Sequence, residues 1–338
     1  MLYSSAWPTS GDPRIASVGE VLDDDPRYQD PGALCPMPTG FTPLDRYLGG
    51  GLHAGELLLL GGAQGLGKTT WALQLARHVA ATGSGRALYV CYEHDRGYLL
   101  ERLLAMESAL GGDADPLDLA ELRRYLAGQA PHPARGLDDL LGRLGRARPA
   151  LERIRAYEHR LFLVRADATT TLATIAHLAR TCPGDGPLLV LVDYLQKVTL
   201  DPDPGSDERA TSLVADGLKD LALTQSARVV AVVAGDLDGI TAQRMRIHHL
   251  RGGAALAYEA DTVLLLNDKY RAVARQHLVY QPQLAEGFRD WVVVSVEKNR
   301  GGLGGVDLEL RKRFAWACFD PHGRSVEQQL VDGRLYPT

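Results

Sequence analysis

An eight-residue stretch, residues 62–69, constrains the fold of this chain more than any other feature. It reads Gly-Ala-Gln-Gly-Leu-Gly-Lys-Thr, the pattern G-x-x-x-x-G-K-[ST] of a phosphate-binding loop. An apolar run, Leu57–Gly61, precedes it and predicts a buried strand, and the segment Thr69–Thr82 has a helical pattern. Glycines let the backbone wrap closely around an anion, and loop amides and a helix N-terminus then point at the phosphates. The stretch therefore predicts a strand–loop–helix unit that binds a nucleotide.

Two side chains of this loop are expected to contact the nucleotide phosphates and a metal ion. Lys68 would reach the β- and γ-phosphates, and Thr69 would bind Mg²⁺. We expect ATP and Mg²⁺ as cofactors. The residues expected to surround the nucleotide are Gly62, Ala63, Gln64, Gly65, Leu66, Gly67, Lys68, Thr69 and Thr70.

Composition narrows the class of protein. The 338 residues are 45% hydrophobic and 23% charged, which is typical of a globular chain with room for one large α/β domain. The net charge of −5 means that nucleic-acid binding would need a local basic patch. The four cysteines, at 35, 91, 182 and 318, lack metal-ligand spacing, so neither a zinc site nor a disulfide framework is expected. No run reaches 18 apolar residues, and we expect a cytoplasmic protein without a membrane span.

Apolar runs alternate with helical patterns along most of the chain. Residues 1–38 are rich in Pro, Gly, Ser and Asp and are interpreted as a tail or linker with a short helix around Ala16–Leu22; residues 39–338 form the ordered domain. The candidate strands are Leu57–Gly61, Ala87–Tyr92, Leu161–Arg165, Leu188–Asp193, Arg228–Ala234, Thr262–Leu266, Trp291–Glu297 and Val306–Leu310. The candidate helices are Thr69–Thr82, Gly97–Leu110, Leu117–Ala127, Thr170–Thr181 and Glu208–Ser226. This alternation predicts an α/β fold whose sheet is mostly parallel, with antiparallel C-terminal edge strands.

Residues 111–160 interrupt this alternation. They carry Gly, Pro, Asp and many Arg, with leucines that predict helical excursions broken near Pro131, Pro133 and Pro149. The segment is either a surface helical subregion with a structural role or a face that binds a partner.

Two acidic residues follow predicted strands and could complete an ATP-hydrolysing site. Asp193 ends the run Leu188–Val192 at the sheet edge where open α/β sheets bind ligands, so it is the candidate Mg²⁺ carboxylate. Glu93 follows another strand, expected beside the phosphate-loop strand, and could polarise the attacking water. Alternatively, Asp193 caps the next turn and Glu93 is an exposed or capping residue.

A cationic pair lies on a glycine-rich hairpin near the end of the chain. Lys298 and Arg300 precede residues 301–305, Gly-Gly-Leu-Gly-Gly. An arginine projected to a neighbouring subunit's γ-phosphate would stabilise the charge that develops during transfer. The alternative is a solvated hairpin tip.

A second set of cations lies in one short segment. Arg244, Arg246 and Arg251 occur with two histidines between Asp238 and Gly253. A mobile basic loop of this kind suits contact with the phosphate backbone of single-stranded DNA. The alternative is an ordinary solvated loop.

Together these motifs, over roughly residues 39–320, resemble the RecA-like motor domain of DnaB-type replicative helicases. The run 192–196, Val-Asp-Tyr-Leu-Gln, is close to that family's Walker B segment, and the position of residues 92–95 implies that Glu93 is the catalytic glutamate. The resemblance also implies that Lys298 and Arg300 act from the next subunit and that the 250–261 segment leads from a DNA-binding loop. It implies a hexameric ring or helical oligomer that moves on single-stranded DNA, with replication or repair proteins as further partners.

The resemblance has departures. A glutamine that links the γ-phosphate to the DNA loop in the family is replaced near Asp236, and 38 residues leave no room for the family's N-terminal domain. Residues 49–52 and 298–300 are also similar to RadA-type recombination ATPases. Three functions therefore stay open: a DnaB-like ATP-dependent helicase or translocase, a RadA-like repair ATPase, and an ATP-gated scaffold that does not unwind DNA.

Overall fold

The computed structural model describes residues 15–24, 31–128, 136–142, 144–202, 204–280 and 282–331. The chain divides into two compact units, Met1–Cys35 and Pro36–Thr338. The first unit contains helices α1 (Val18–Asp24) and α2 (Pro31–Leu34). The amide of Glu20 donates to Ser17 Oγ (3.1 Å) and the amide of Ser17 donates to Glu20 Oε2 (2.6 Å), a reciprocal cap that explains why α1 starts at Val18.

The described part of the second unit is organised around one ten-stranded mixed sheet. Its strands are β1 (Leu57–Gly62), β2 (Arg86–Cys91), β3 (Leu161–Arg165), β4 (Leu188–Asp193), β5 (Arg228–Ala234), β6 (Thr262–Asp268), β7 (Trp291–Asn299), β8 (Val306–Arg313), β9 (Cys318–Phe319) and β10 (Arg324–Ser325). The order is β10-β8-β7-β6-β1-β5-β4-β2-β3, and β9 pairs with β8. Strands β1 to β6 pair parallel with one another, whereas every pair that includes one of β7 to β10 is antiparallel, β6 with β7 among them. The predicted parallel sheet with an antiparallel C-terminal edge is confirmed.

Strand β1 shows why the run of leucines is continuous. Alternate residues face opposite sides of the sheet: Leu58 and Leu60 belong to one hydrophobic core, whereas Leu57 and Leu59 belong to the other. Helices cover both faces, so each face of the strand is apolar. This central strand is held rigidly from both sides, which fixes the start of the loop that follows it.

Helices surround the sheet at nearly the predicted positions. In the second unit they are α3 (Leu44–Tyr47), α4 (Lys68–Thr82), α5 (Arg96–Leu110), α6 (Leu119–Gly128), α7 (Leu137–Leu141), α8 (Arg148–Tyr157), α9 (Leu172–Arg180), α10 (Asp207–Thr224), α11 (Leu237–Thr241), α12 (Gly253–Glu259), α13 (Lys269–Ala272), α14 (Arg275–Tyr280) and α15 (Pro282–Gly287). Across the described ranges, none of these helices has the length and apolar character needed to cross a membrane.

The helical subregion predicted at 111–160 has a small core of its own. Leu104 of α5 packs with Leu117, Leu122 and Leu141. Pro149 lies in the first turn of α8, where its missing N–H removes no helical hydrogen bond. The expected breaks at Pro131 and Pro133 lie outside the described residues.

Candidate active site

The phosphate-binding loop runs from the end of β1 to the start of α4, as the sequence pattern predicts. Gly67 caps α4 with a left-handed backbone (φ 88°). A Cβ atom there would lie 2.7 Å from the rings of both Phe314 and Phe319, so this position needs glycine for its space as well as its φ. The helix begins at Lys68, one residue earlier than predicted, and its N-terminus faces the loop.

Strand register brings the predicted nucleotide residues to one edge of the sheet. Gly62 pairs with Ala234 of β5, and Asp193 pairs with Cys91 of β2, so four parallel strands end at the same edge. A cavity of about 450 Å³ opens there. Its lining includes Gly62, Gln64, Gly65, Lys68, Thr69, Thr70, Glu93 and Asp193. Ala63 and Leu66, also expected at the nucleotide, are not among the residues that line it.

Asp193 is buried at the base of this cavity, with 1% of its surface exposed. The hydroxyl of Tyr89 donates a hydrogen bond of 2.9 Å to Asp193 Oδ2. Burial raises the pKa of Asp193, and the hydroxyls of Thr69 and Tyr89 oppose that increase. Asp193 Oδ1 is buried and has no hydrogen-bond partner among the described residues. A buried carboxylate oxygen left unpaired beside Thr69 fits a Mg²⁺ ligand position, because hard divalent cations take oxygen ligands.

Lys68 lines the same cavity as Asp193. Its ammonium group donates to the carbonyl oxygens of Gly62 (2.7 Å) and Ala63 (3.0 Å). Burial lowers the pKa of Lys68, and the charges of Asp193 and Glu93 partly offset this effect. A phosphate group in the cavity would supply the counter-charge that a desolvated ammonium group lacks. The loop and its lysine therefore fit a nucleotide.

Glu93 lies in the turn between β2 and α5, and its side chain is exposed at the cavity. The expectation that its strand lies beside the phosphate-loop strand is wrong, since β5 and β4 separate β1 from β2. The C-terminal ends of β1, β5, β4 and β2 nevertheless lie side by side, so Glu93 lines the same cavity. Asp95 holds the turn by accepting a 2.9 Å bond from the amide of Tyr98, which caps α5.

Arg102 and Phe314 are among the further lining residues that the sequence did not single out. Arg102 of α5 donates to Thr70 Oγ1 (3.3 Å), and its guanidinium lies 4.6 Å from the centre of the Tyr98 ring. Phe314 lies against the loop from the segment after β8 and is 37% exposed. Arg102 occurs in no motif, and its placement comes from its position four residues after Tyr98 on one helix face. Phe314 is an exposed aromatic after the basic run 311–313, which is a weak signal in the sequence alone.

Lys298 and Arg300 lie at the opposite end of the parallel strands, near the start of β1. Asn299 of β7 pairs with Thr262, which pairs with Leu58 near the start of β1. Four residues of strand separate Leu58 from Gly62, about 13 Å. Lys298 Nζ donates to the carbonyl oxygens of Ala257 and Ala260, 2.6 Å each. The structure does not bring this cationic pair to the phosphate loop of its own chain.

Arg300 is half-exposed at that edge and is bound to its own subunit. Its guanidinium lies 3.2 Å from Asp261 Oδ1 and donates to the carbonyl oxygen of Tyr258 at 2.5 Å. Asp261 also accepts from Lys219 Nζ (2.7 Å), which fixes the carboxylate. For Lys298, burial and the charge of Arg300 both lower the pKa.

The arginines predicted to bind DNA are each paired with a carboxylate. Arg244 is 9% exposed and lies 2.6 Å from Asp307, so it is part of the folded core of this region and the expectation of an open basic loop is wrong for it. Arg246 contacts Glu297 at 3.0 Å. Arg251 pairs with Asp207 and is 51% exposed, the largest exposure of the three.

The segment that carries Arg251 lies at the same sheet edge as the phosphate loop. The amide of Arg251 donates to the carbonyl oxygen of Ala234 (3.0 Å), the last residue of β5. Asp236, where the expected glutamine is replaced, accepts from the amide of Gly239 (2.7 Å) and caps α11. Its carboxylate is thus turned toward its own helix.

Comparison with known proteins agrees with this geometry. The profile of the AAA domain family matches residues 37–234, which include the phosphate loop, Glu93 and Asp193. Among solved structures, the "ATPase Domain of G40P" superposes with a TM-score of 0.69 at 19% identity, covering 90% of this chain and 98% of that one. The likeness confirms the RecA-like fold.

Two curated relatives are similar to this chain over different lengths. "Replicative DNA helicase DnaB" of Treponema pallidum is 24% identical over 298 residues, 87% of this chain and 59% of that protein. "DNA repair protein RadA" of Mycolicibacterium smegmatis is 47% identical over 70 residues, 21% of this chain and 15% of that protein. The chain thus spans less than two thirds of the length of either relative.

Proposed function

This chain belongs to the AAA domain family, and we propose that it is the ATP-hydrolysing motor of a DnaB-like helicase that acts on single-stranded DNA. The observation that carries the proposal is the convergence of Lys68, Thr69, Glu93 and Asp193 on one cavity at the C-terminal edge of the parallel strands. A replicative DNA helicase that matches 298 residues of this chain supports the choice of DNA as the track.

Each residue of the cavity has a distinct task. Gly62–Thr69 wraps the phosphates with its amides, and Lys68 neutralises their charge. Thr69 and Asp193, whose Oδ1 is unpaired, would hold Mg²⁺, and the ion would offset charge on the phosphate oxygens. Glu93, exposed to the same cavity, orients water and accepts its proton. Tyr89 keeps Asp193 in place through its hydroxyl.

The arginine finger comes from a second copy of the chain. Arg300 and Lys298 lie at the sheet edge opposite the phosphate loop, so they can serve a neighbouring loop but not their own. A head-to-tail contact of this kind closes into a ring or continues as a helix. Assembly is therefore part of the catalytic mechanism that we propose.

DNA is bound on the side of the cavity where β5 ends. Arg251 is half-exposed there and is tied to Ala234, which lines the cavity. Arg246 lies in the same segment and is a second candidate contact. We assign no DNA contact to Arg244, because it is 9% exposed and paired with Asp307.

A RadA-like role in DNA repair is the second candidate. It is favoured by the 47% identity over 70 residues with a DNA repair protein. An ATP-gated scaffold that does not unwind DNA is the third reading, since Asp236 is turned to its own helix and does not link the cavity to Arg251.

One set of measurements separates these functions. ATP turnover is measured with and without single-stranded DNA, the mass in solution is measured with a non-hydrolysable nucleotide, and strand displacement is followed on a forked duplex. A helicase motor gives DNA-stimulated turnover, an oligomer and displacement. Stimulation without displacement favours repair, and turnover indifferent to DNA rejects both DNA functions.

A further inference from the structure

Gln196 joins three segments that meet beside the nucleotide cavity. It follows Asp193 by three residues, in the short 3₁₀ turn Leu195–Lys197. Its Oε1 accepts from the amide of Ala234 (3.2 Å), and its Nε2 donates to the carbonyl oxygen of Arg251 (2.9 Å). One side chain therefore connects the end of the Mg²⁺-carboxylate strand, the end of β5 and the candidate DNA contact.

The two partners of Gln196 are also bound to each other. Arg251 donates its amide to Ala234 at 3.0 Å, and Gly235 and Leu250 form a bridge next to it. Ala234 and Gly235 line the nucleotide cavity. Movement of the cavity wall at Ala234 would therefore also move Arg251. Gln196 connects these two residues to the end of the strand that carries Asp193.

Asp236 offers no comparable side-chain connection. Its carboxylate accepts from the amide of Gly239 in its own helix, and only its backbone amide reaches the neighbouring segment, at the carbonyl oxygen of His249 (2.9 Å). Within the described residues, the side-chain hydrogen bond that links the segment after Asp193 to Arg251 is made by Gln196.

We propose that Gln196 is the positioning residue that couples nucleotide binding to single-strand binding in this chain. The inference rests on the proposed function. Gln196 does not line the nucleotide cavity, so it acts through Ala234 and Arg251. Coupling of two sites is reciprocal, so nucleotide should change the DNA affinity by the factor by which DNA changes the nucleotide affinity.

Two substitutions of Gln196 test this link by removing one or both of its hydrogen bonds. Gln196→Glu keeps the oxygen that accepts from Ala234 but places a carboxylate oxygen against the carbonyl oxygen of Arg251, so it removes that one bond. Gln196→Met removes both bonds at similar volume. Gln225→Met is the matched control, because Gln225 Nε2 donates to the carbonyl oxygen of Ala176 (3.0 Å), between α10 and the helix α9, away from the cavity.

The measurement is the Kd of a fluorescent single-stranded oligonucleotide, by anisotropy, with and without a non-hydrolysable ATP analogue. Site coupling is typically about 5- to 150-fold, and we expect the wild type and Gln225→Met to fall in that range. Both Gln196 variants should give a ratio within about twofold of one. Thermal unfolding of each variant is recorded alongside, because a merely structural role would lower the midpoint and leave the ratio unchanged.

The outcomes distinguish this inference from the proposed function. A wild-type ratio of one rejects nucleotide-coupled DNA binding itself. A wild-type ratio above fivefold that persists in folded Gln196→Glu overturns the role of Gln196 alone. Should Gln196→Met fail to fold, Gln196→Glu decides, since it retains the bond to Ala234.

Discussion

At the scale of single residues, the site is built around two charges whose burial opposes their ionisation. Asp193 is buried and its pKa is raised; Lys68 is buried and its pKa is lowered. Both shifts work against the charge states that a Mg²⁺ carboxylate and a phosphate ligand need. The unbound site is therefore held at a cost in stability, which is common where function needs a desolvated charge.

Asp193→Asn tests that cost. Because the folded state binds the Asp193 proton more tightly than the unfolded chain does, this group favours folding below its ordinary pKa of 3.8, and its contribution is lost as pH rises through the raised pKa. We expect Asp193→Asn to flatten the pH dependence of the unfolding midpoint and to raise the midpoint at pH 8 by about 1–3 °C. Thermal unfolding without nucleotide, from pH 4 to 8, measures this. A lower midpoint with an unchanged pH profile would contradict it.

Glu93→Gln tests the assignment of the catalytic base. The substitution keeps size and hydrogen bonding but removes the proton acceptor, so ATP affinity should stay within about threefold while turnover falls by about 100-fold or more. Nucleotide titration and steady-state hydrolysis measure the two quantities. Glu152→Gln is the matched control, since that glutamate is exposed on α8 and pairs with Arg148. Turnover that equals the control would remove Glu93 from this role.

Substitutions of Arg251 and of its partner Asp207 should change the affinity for single-stranded DNA in opposite directions. Arg251→Ala should weaken single-strand binding and reduce the salt slope of the affinity by about 0.7, the value of one phosphate contact. Asp207→Asn releases the same guanidinium from its ion pair and should strengthen binding. Anisotropy titrations over a range of salt concentrations measure both. Equal effects of the same sign would place the DNA path elsewhere.

At the scale of elements, the phosphate loop packs against the turn between β8 and β9, more than two hundred residues later in the chain. Phe314 and Phe319 lie against Gly67, and Gln74 of α4 makes two hydrogen bonds with the backbone of Phe319 (2.8 and 3.0 Å). The antiparallel edge therefore shapes the nucleotide site as well as extending the sheet.

Gly67→Ala, compared with Gly112→Ala, separates the effect of the contact with Phe314 and Phe319 from that of backbone strain alone. Both Gly67 (φ 88°) and Gly112 (φ 77°) have left-handed backbones, but a Cβ at Gly112 would meet nothing within 4 Å. Gly112→Ala should cost about 1 kcal/mol of stability and leave ATP binding intact. Gly67→Ala carries the same strain plus the clash with two rings, and should weaken ATP binding by more than about tenfold. Urea unfolding and nucleotide titration measure this; equal behaviour of the two variants would rule out an effect of this contact.

The sequence predicted elements well and long-range pairing poorly. Each of the eight predicted strands exists, with ends within three residues, because a continuous apolar run is a local signal. β9 and β10, of two residues each, are too short to leave a periodic pattern. The neighbour of β1 was mispredicted because strand order is set by crossovers. The carboxylate partner of Arg244 lies 63 residues away, which no local pattern reveals.

At the scale of the whole molecule, the two halves of the proposed catalytic apparatus lie at opposite edges of one sheet. The phosphate loop, Glu93 and Asp193 lie where the parallel strands end, and Arg300 lies where they begin. Under the proposed function, a single copy would bind ATP but would lack an arginine finger for it. In addition, Arg300 is bound to Asp261 and Tyr258 of its own chain, so the proposed role requires that this contact be exchanged for a phosphate of a neighbouring copy.

This two-edged geometry predicts complementation between inactive variants. Lys68→Ala lacks the phosphate ligand but keeps its finger, and Arg300→Ala lacks the finger but keeps its loop. Each should hydrolyse ATP at least about tenfold more slowly than the wild type, because arginine fingers commonly contribute several orders of magnitude. A mixture should recover part of the rate, since some interfaces then pair an intact loop with an intact finger, and recovery should be greatest near equal amounts. Steady-state hydrolysis across mixing ratios measures this, with the mass of the mixture checked in solution. Arg289→Ala serves as the control, because that arginine is 57% exposed and pairs with Glu286 away from both edges. If mixed oligomers form but no ratio exceeds the sum of the separate rates, the finger does not act between subunits.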